Sequence, residues 1–249
     1  MSGIIQFSYL GRYGQFGNQL FQYAFARSYA EIVGAQLEVP DWIGRHVFKG
    51  LADDPYPSRT LPITQVDEFQ WGITDIDLLG YFQHPAALKI VKKESVKKWF
   101  QFKDAYLSAA PTLPLCAHLR RGDYIIHEKV FAIVSELSYL RACEKFGFDD
   151  RSITWVSTEH RNAPLDMGIT ESMLYDFILL MKCKVFLRSN STFSWWAGEL
   201  GDSKVYSPLI DSRTGMQHVR FVRGNHPRIV YPPYALGSST KEAGNLVLA

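Results

Sequence analysis

Cysteine is scarce: Cys116, Cys143 and Cys183 are the only three in 249 residues. They show no short metal spacing, and an odd number cannot all pair. Free thiols in a reducing compartment are the simpler reading, which points to a cytoplasmic protein. Also absent is any run of roughly 18 uninterrupted apolar residues, the minimum for a membrane-spanning helix. Met1 to Leu10 has no basic lead and its apolar run breaks at Arg12, so it reads as a first strand rather than a secretion signal. There is no excess of one charge: 27 Lys and Arg face 25 Asp and Glu, for a formal net charge of +2. That excludes a strong whole-molecule pull on nucleic acid or on an anionic membrane, though not a local basic patch. Repeats and low-complexity blocks are missing too. The seven His show no H-E-x-x-H spacing, and the close carboxylates (Asp53-Asp54, Asp75 with Asp77, Asp149-Asp150) read as solvated loop charge. No metal site is expected.

What is present is a composition able to bury a core, 47 % hydrophobic with 14 % aromatic. Ile4 to Ser8 suits a buried strand and runs into a glycine-punctuated loop, Gly11 to Gly17. Asn18 to Val33, free of Pro and Gly, reads as a helix apolar on most of its circumference and stopped by Gly34. Ala35 to Val39 follows as a strand, completing a βαβ unit. The stretch from Pro40 to Gln83 is irregular, with rings such as Trp42, Phe48, Tyr56, Trp71, Tyr81 and Phe82 that could line a ligand groove. A helix is expected over Pro85 to Phe102, with Lys92, Lys93, Lys97 and Lys98 as its solvated face. Pro111 to Pro114 reads as a hinge, dividing residues 1–112 from residues 113–249. Beyond it the rhythm is strand (115–119), helix (135–146), strand (153–157), helix (171–182), strand (185–187), helix (192–200), strand (204–207). Strands alternating with helices predict an α/β protein with parallel sheets, two Rossmann-like halves facing across a cleft.

Three constellations could carry chemistry. His118-Leu119-Arg120-Arg121-Gly122-Asp123-Tyr124 follows a predicted strand, where open α/β sheets bind ligands. One Arg can meet a phosphate while the other pairs with Asp123; alternatively the cluster is a surface charge group fixing a turn. His118 and Arg120 alternate along the strand and point the same way. Ser189 to Trp196 opens a helix with four hydroxyls and an Asn, more than an N-cap needs, and suits a diphosphate. Trp195 and Trp196 read as packing. Gly14-Gln15-Phe16-Gly17-Asn18-Gln19 is neither G-x-G-x-x-G nor a P-loop, so a nicotinamide or ATP site is not indicated. Its glycines still permit close backbone approach to a ligand.

These motifs carry a family resemblance. Gly14 to Ala24 resembles the G-G-L-G-N-Q-M-F-Q-Y-A opening of the α-1,2-fucosyltransferases (glycosyltransferase family 11), with Gln15 in place of the second Gly. His118 to Tyr124 is similar to their H-x-R-R-x-D motif, shared with α-1,6- and protein O-fucosyltransferases. Asp176 to Trp196 resembles their last motif, and Leu79-Gly80-Tyr81-Phe82-Gln83 their L-x-G-Y-F/W-Q segment. Trp155 to Glu159 departs from the F-S-D-D that bacterial members often carry. The chain is also short for the family, mainly on the acceptor side.

The resemblance implies a GT-B-like fold, a GDP-fucose donor, a glycan acceptor and inversion without an obligatory metal or other cofactor. It implies that Arg120 meets the β-phosphate, that His118 lies on the nucleoside side and that Asp176 accepts from guanine. Ser191, Thr192 and Phe193 would line the diphosphate and sugar pocket, with Gly17 and Asn18 approaching from the N-terminal half. Glu128, five residues after Asp123, stands where the proposed base of the α-1,6 enzymes does; Asp123 is the rival unless it is engaged by Arg121. The alternatives are the same fold with another GDP-linked sugar, or a catalytically silent glycan- or nucleotide-binding module. Nucleic acid is not an expected partner. Peripheral contact with a membrane is compatible with the sequence.

Overall fold

A computed structural model describes residues 3–65, 70–83, 85–157, 171–212 and 214–225. These fall into two compact units, one ending at Asp104 and the other beginning at Ala105.

The first unit begins with β1 (Ile4–Gln6), α1 (Phe16–Val33) and β2 (Gln36–Glu38), the expected βαβ order. The helix ends where Gly34 adopts a left-handed conformation (φ 66°) and its N–H caps the Ala30 carbonyl. Then come α2 (Ile43–Val47), β3 (Ile63–Gln65), β4 (Ile76–Leu79), α3 (Pro85–Leu88) and α4 (Lys93–Trp99). The four strands pair in parallel in the order β2-β1-β4-β3. Helix α1 is apolar nearly all round, so it needs partners on every side. The rings of the irregular stretch supply them. Tyr23 stacks on Trp42 at 5.2 Å, Phe25 on Phe82 at 4.2 Å and Phe16 on Phe48 at 6.2 Å. Trp42, Phe48 and Phe82 are therefore core side chains, not the lining of a groove. Full burial of one such ring contributes about 1.5–3 kcal/mol. Tyr56 and Trp71 do stay exposed, Tyr56 lying under the Arg45 guanidinium at 4.1 Å.

The helix expected over Pro85 to Phe102 is two short ones. Between them the β-branched pair Ile90-Val91 disfavours helical backbone, Val91 drops into the core and Lys92 is extended.

The second unit holds α5 (Asp104–Ala109, which straddles the division), β5 (Leu115–Leu119), α6 (Asp123–Ile126), β6 (Ala132–Val134) and α7 (Glu136–Phe146). It continues with β7 (Ile153–Ser157), α8 (Glu171–Lys182), β8 (Val185–Leu187), α9 (Thr192–Leu200), β9 (Lys204–Pro208), β10 (Gly215–Gln217) and β11 (Phe221–Arg223). Its main sheet has the order β11-β9-β8-β5-β7, parallel except for β11, and β6 pairs with β10 beside it. Leu115, Ala117 and Leu119 point from one face of β5 into a core with Tyr139, Ala142 and Phe221. The alternation of a strand sends Cys116 and His118 to the other face. All three cysteines are buried and free.

The chain leaves β5 toward β7 on one side and leaves β8 toward β9 on the other. The carboxyl ends of β5 and β8 are thus a topological switch point, where an open α/β sheet leaves a crevice. The sequence puts its two hydroxyl- and arginine-rich motifs on those two strand ends.

Candidate functional site

His118 is the second-last residue of β5 and only 2 % exposed. Tyr139 Oη donates to its carbonyl at 2.8 Å, fixing the backbone. Its Nδ1 lies 2.9 Å from Ser189 Oγ, which in turn donates to Ser191 Oγ at 3.2 Å. With the serine proton committed to Ser191, the ring N–H donates to Ser189, leaving Nε2 as an acceptor. Burial, with the charges of Arg120 and Arg121, pushes the His118 pKa down to about 3. The imidazole is neutral at physiological pH.

One residue beyond β5, the Arg120 guanidinium binds Asp123, with Nη2 at 2.9 Å from Oδ2 and 2.8 Å from Oδ1. It also lies over the Tyr124 ring at 4.9 Å. The expectation that Arg121 would take up Asp123 is not met. Arg121 is buried and donates to the Val134 carbonyl at 3.0 Å, a contact that ties the end of β5 to β6. The reason is alternation: Arg120 follows His118 on the site face, whereas Arg121 turns into the layer beneath. Asp123 therefore orients Arg120, and its oxygens are engaged by that cation.

The β8 end supplies hydroxyls. Ser191 caps α9, accepting from the Ser194 N–H at 3.2 Å, and its Oγ lies 3.1 Å from Ser194 Oγ. Ser189 Oγ is 3.1 Å from the same Ser194 hydroxyl. Thr192 and Phe193 form the first turn of α9, half-exposed. The Phe193 ring stands 5.4 Å from the His118 imidazole and meets Phe177 edge-on at 5.0 Å. Asp176 precedes Phe177 on α8 and is largely buried. Trp195 and Trp196 are buried packing side chains.

Glu128 is exposed in the turn after α6, where its carbonyl accepts from the Gly215 N–H at 2.7 Å. Among the described residues, no hydrogen bond or ion pair of its side chain ties it to this set. Of the family's F-S-D-D position, residues 158 and 159 lie outside the described residues.

Gly17 and Asn18 belong to the first unit, at the start of α1. The Gln83 amide donates to Asn18 Oδ1 at 3.0 Å. The glycine loop before them is held from behind: Gln19 Nε2 donates to the Gly14 carbonyl at 3.1 Å and Gln22 Nε2 to the Tyr13 carbonyl at 2.8 Å. Gly14 has φ +85°, and a Cβ there would sit 2.7 Å from Asn18 Nδ2. The loop's glycine is thus needed for backbone shape and for the position of Asn18.

One residue escaped the sequence reading. Arg188 is fully buried at the end of β8, with Nε donating to Ser207 Oγ at 2.8 Å and Nη1 to the Ser189 carbonyl at 3.0 Å. It braces the serine that holds His118. The available signal was an arginine ending the apolar run Val185-Phe186-Leu187, directly before the hydroxyl motif.

The described residues contain no group of three or more His, Cys, Asp or Glu placed to hold a metal. What the cluster offers is an oriented cation, a neutral imidazole acceptor, a capped helix N-terminus lined with hydroxyls, and an aromatic face. That set suits a phosphorylated nucleoside.

Residues 90–206 match the model of glycosyl transferase family 11. No curated protein matches the chain. Among solved structures, the fucosyltransferase NodZ from Bradyrhizobium superposes with a TM-score of 0.55 at 14 % identity, over 90 % of this chain and 99 % of that one. POFUT1 in complex with GDP-fucose gives 0.50 at 12 % identity, over 86 % and 97 %. A mutant of Arabidopsis thaliana FUT1 in complex with GDP gives 0.50 at 12 %, over 94 % and 77 %. At such identities the likeness is one of fold, the GT-B-like α/β architecture with parallel sheets.

Proposed function

From residues 90–206, which carry the family 11 glycosyltransferase sequence together with the site of the second unit, we propose that the protein transfers L-fucose from GDP-fucose, with inversion, to a hydroxyl of a glycan, galactose O2. The observation that carries this reading is the pairing at one sheet edge of an Asp-oriented Arg120 with the hydroxyl-rich start of α9, bridged by neutral His118. Fold neighbours solved with GDP or with GDP-fucose support the choice of donor.

GDP is a good leaving group, so no acid need protonate it. Charge grows on the β-phosphate as the C1–O bond breaks, and Arg120 with the Ser191–Phe193 N–H and hydroxyl groups meets it without a metal. Asp123 keeps the guanidinium aimed. His118 Nε2 accepts a hydrogen bond from a hydroxyl on the nucleoside side, and Asp176 accepts from guanine N–H groups. Gly17 and Asn18, on the first unit, are further donor-binding residues of this reading. The acceptor hydroxyl loses its proton to Glu128, whose carboxylate is exposed and carries no ion pair among the described residues, whereas that of Asp123 is engaged by Arg120.

The test is incubation with GDP-fucose and acceptors ending in galactose or in a free 6-hydroxyl, with the product linkage read by NMR. A 1→2 bond to galactose is expected. A 1→6 product would move the assignment within the same reaction class, and GDP release no faster than hydrolysis in every arm would sink it. GDP-rhamnose and GDP-galactose in parallel test the donor.

A further inference from the structure

The near-zero net charge conceals a strong asymmetry. Residues 89–103 hold six lysines against one glutamate, leaving 21 basic and 24 acidic residues elsewhere in the chain. Within this segment, α4 buries Val96 and keeps Trp99 half-buried, its ring edge-on to Tyr23 at 6.5 Å. Counting about 100° per residue, Lys93, Lys97, Glu94 and Lys98 fill a contiguous arc of about 140° on the opposite side. All four are exposed, as are Lys89 and Lys92 just before the helix. Among the described residues, Lys89, Lys92, Lys97 and Lys98 form no ion pair. Lys103 and Lys49 flank the patch, for the Phe48–Phe102 bridge brings their two segments side by side, and Lys49 pairs with Asp104 at 2.8 Å.

We propose that this lysine face docks the protein on an anionic lipid surface. A plain solvated helix face carries mixed charge, and here one sign dominates. The side chains are all lysines, compact cations suited to diffusing headgroups, rather than arginines, whose planar fork suits a fixed phosphate register. The exposed arc holds no aromatic ring for a base to stack on, which argues against a nucleic acid. It holds no apolar side chain either. Contact is therefore electrostatic and superficial, and α4, about 10 Å long, lies along the surface without entering it.

Sedimentation of the full chain with vesicles tests this. Vesicles of phosphatidylcholine with about 30 % phosphatidylglycerol should pull the protein down, and pure phosphatidylcholine should not. Each lysine removed should weaken binding about fivefold, and raising salt from 50 to 300 mM should abolish it. The variants Lys93→Gln/Lys97→Gln and Lys92→Glu/Lys98→Glu, checked for an unchanged thermal melt, should lose binding in that order. Equal binding to neutral vesicles would overturn the proposal, as would no binding to either, or folded variants that bind like the parent. So would a duplex RNA of equal charge that binds more tightly than the anionic vesicles.

Discussion

His118 shows how far one side chain's surroundings reach. Its unfolded pKa is about 6.5 and its folded pKa about 3. Between these values the unfolded chain binds a proton that the folded one refuses, so its contribution to stability is fully present above about 6.5 and is lost as pH falls toward 3. The slope is about 1.4 kcal/mol per pH unit. His118→Asn should flatten that part of the stability curve in urea titrations; an unchanged slope would mean the ring is protonated in the fold. Arg120 and Glu128 can be separated by kinetics. On the proposed mechanism Arg120→Ala removes a charge contact that strengthens in the transition state, and it should lower turnover by about 10²–10³. Glu128→Gln should also lose turnover while binding GDP as the parent does, because among the described residues its side chain makes no tie to the Arg120 cluster. Normal transfer by the glutamine variant would return the role of base to another group.

Elements were legible where their signals were local. Gly147 adopts the left-handed cap (φ 73°) that ends α7, and Ser135 stands at its N-cap; both follow from residue type and neighbours alone. Strands β7 and β8 and helices α8 and α9 lie where the pattern put them. Strands β6, β10 and β11 were not visible: β6 and β10 pair with one another from distant parts of the chain, and β11 is a short strand that turns back antiparallel to β9, outside the strand–helix rhythm that reveals the others. The site shows the same division. Its motifs could be read in order, but the Arg120–Asp123 pairing and the bracing by Arg188 depend on which way a strand end turns and on a partner on β9. The glycine loop before α1 offers a test at this scale. Gly14→Ala places a side chain at φ +85° and within 2.7 Å of Asn18 Nδ2 and 2.8 Å of the Tyr81 ring. A loss of about 1–3 kcal/mol is expected in urea unfolding, together with a raised KM for the donor if Asn18 approaches it. An unaltered KM with lowered stability would leave Asn18 a purely structural residue.

For the whole molecule, balance of charge and balance of function differ. A near-neutral chain can hold an anion only through a few placed groups, and at the carboxyl ends of β5 and β8 the second unit sets a largely buried Arg120 on the site face, with Arg188 bracing Ser189 behind it. Such cations are screened little by salt, unlike an exposed lysine face. GDP should therefore stabilise the folded state by mass action with weak salt dependence: at one hundred times its Kd, about 2.7 kcal/mol, or a Tm rise of about 5–11 °C for a chain of this size. On the proposed reading Arg120 and the α9 hydroxyls meet the diphosphate without a metal, so EDTA should leave that rise intact. Calorimetry with GDP, with and without EDTA, and at two salt concentrations decides the matter. No rise would remove the donor site, a rise abolished by EDTA would require a metal between the cluster and the diphosphate, and a rise erased at 300 mM salt would shift the binding from the buried arginines to surface charge.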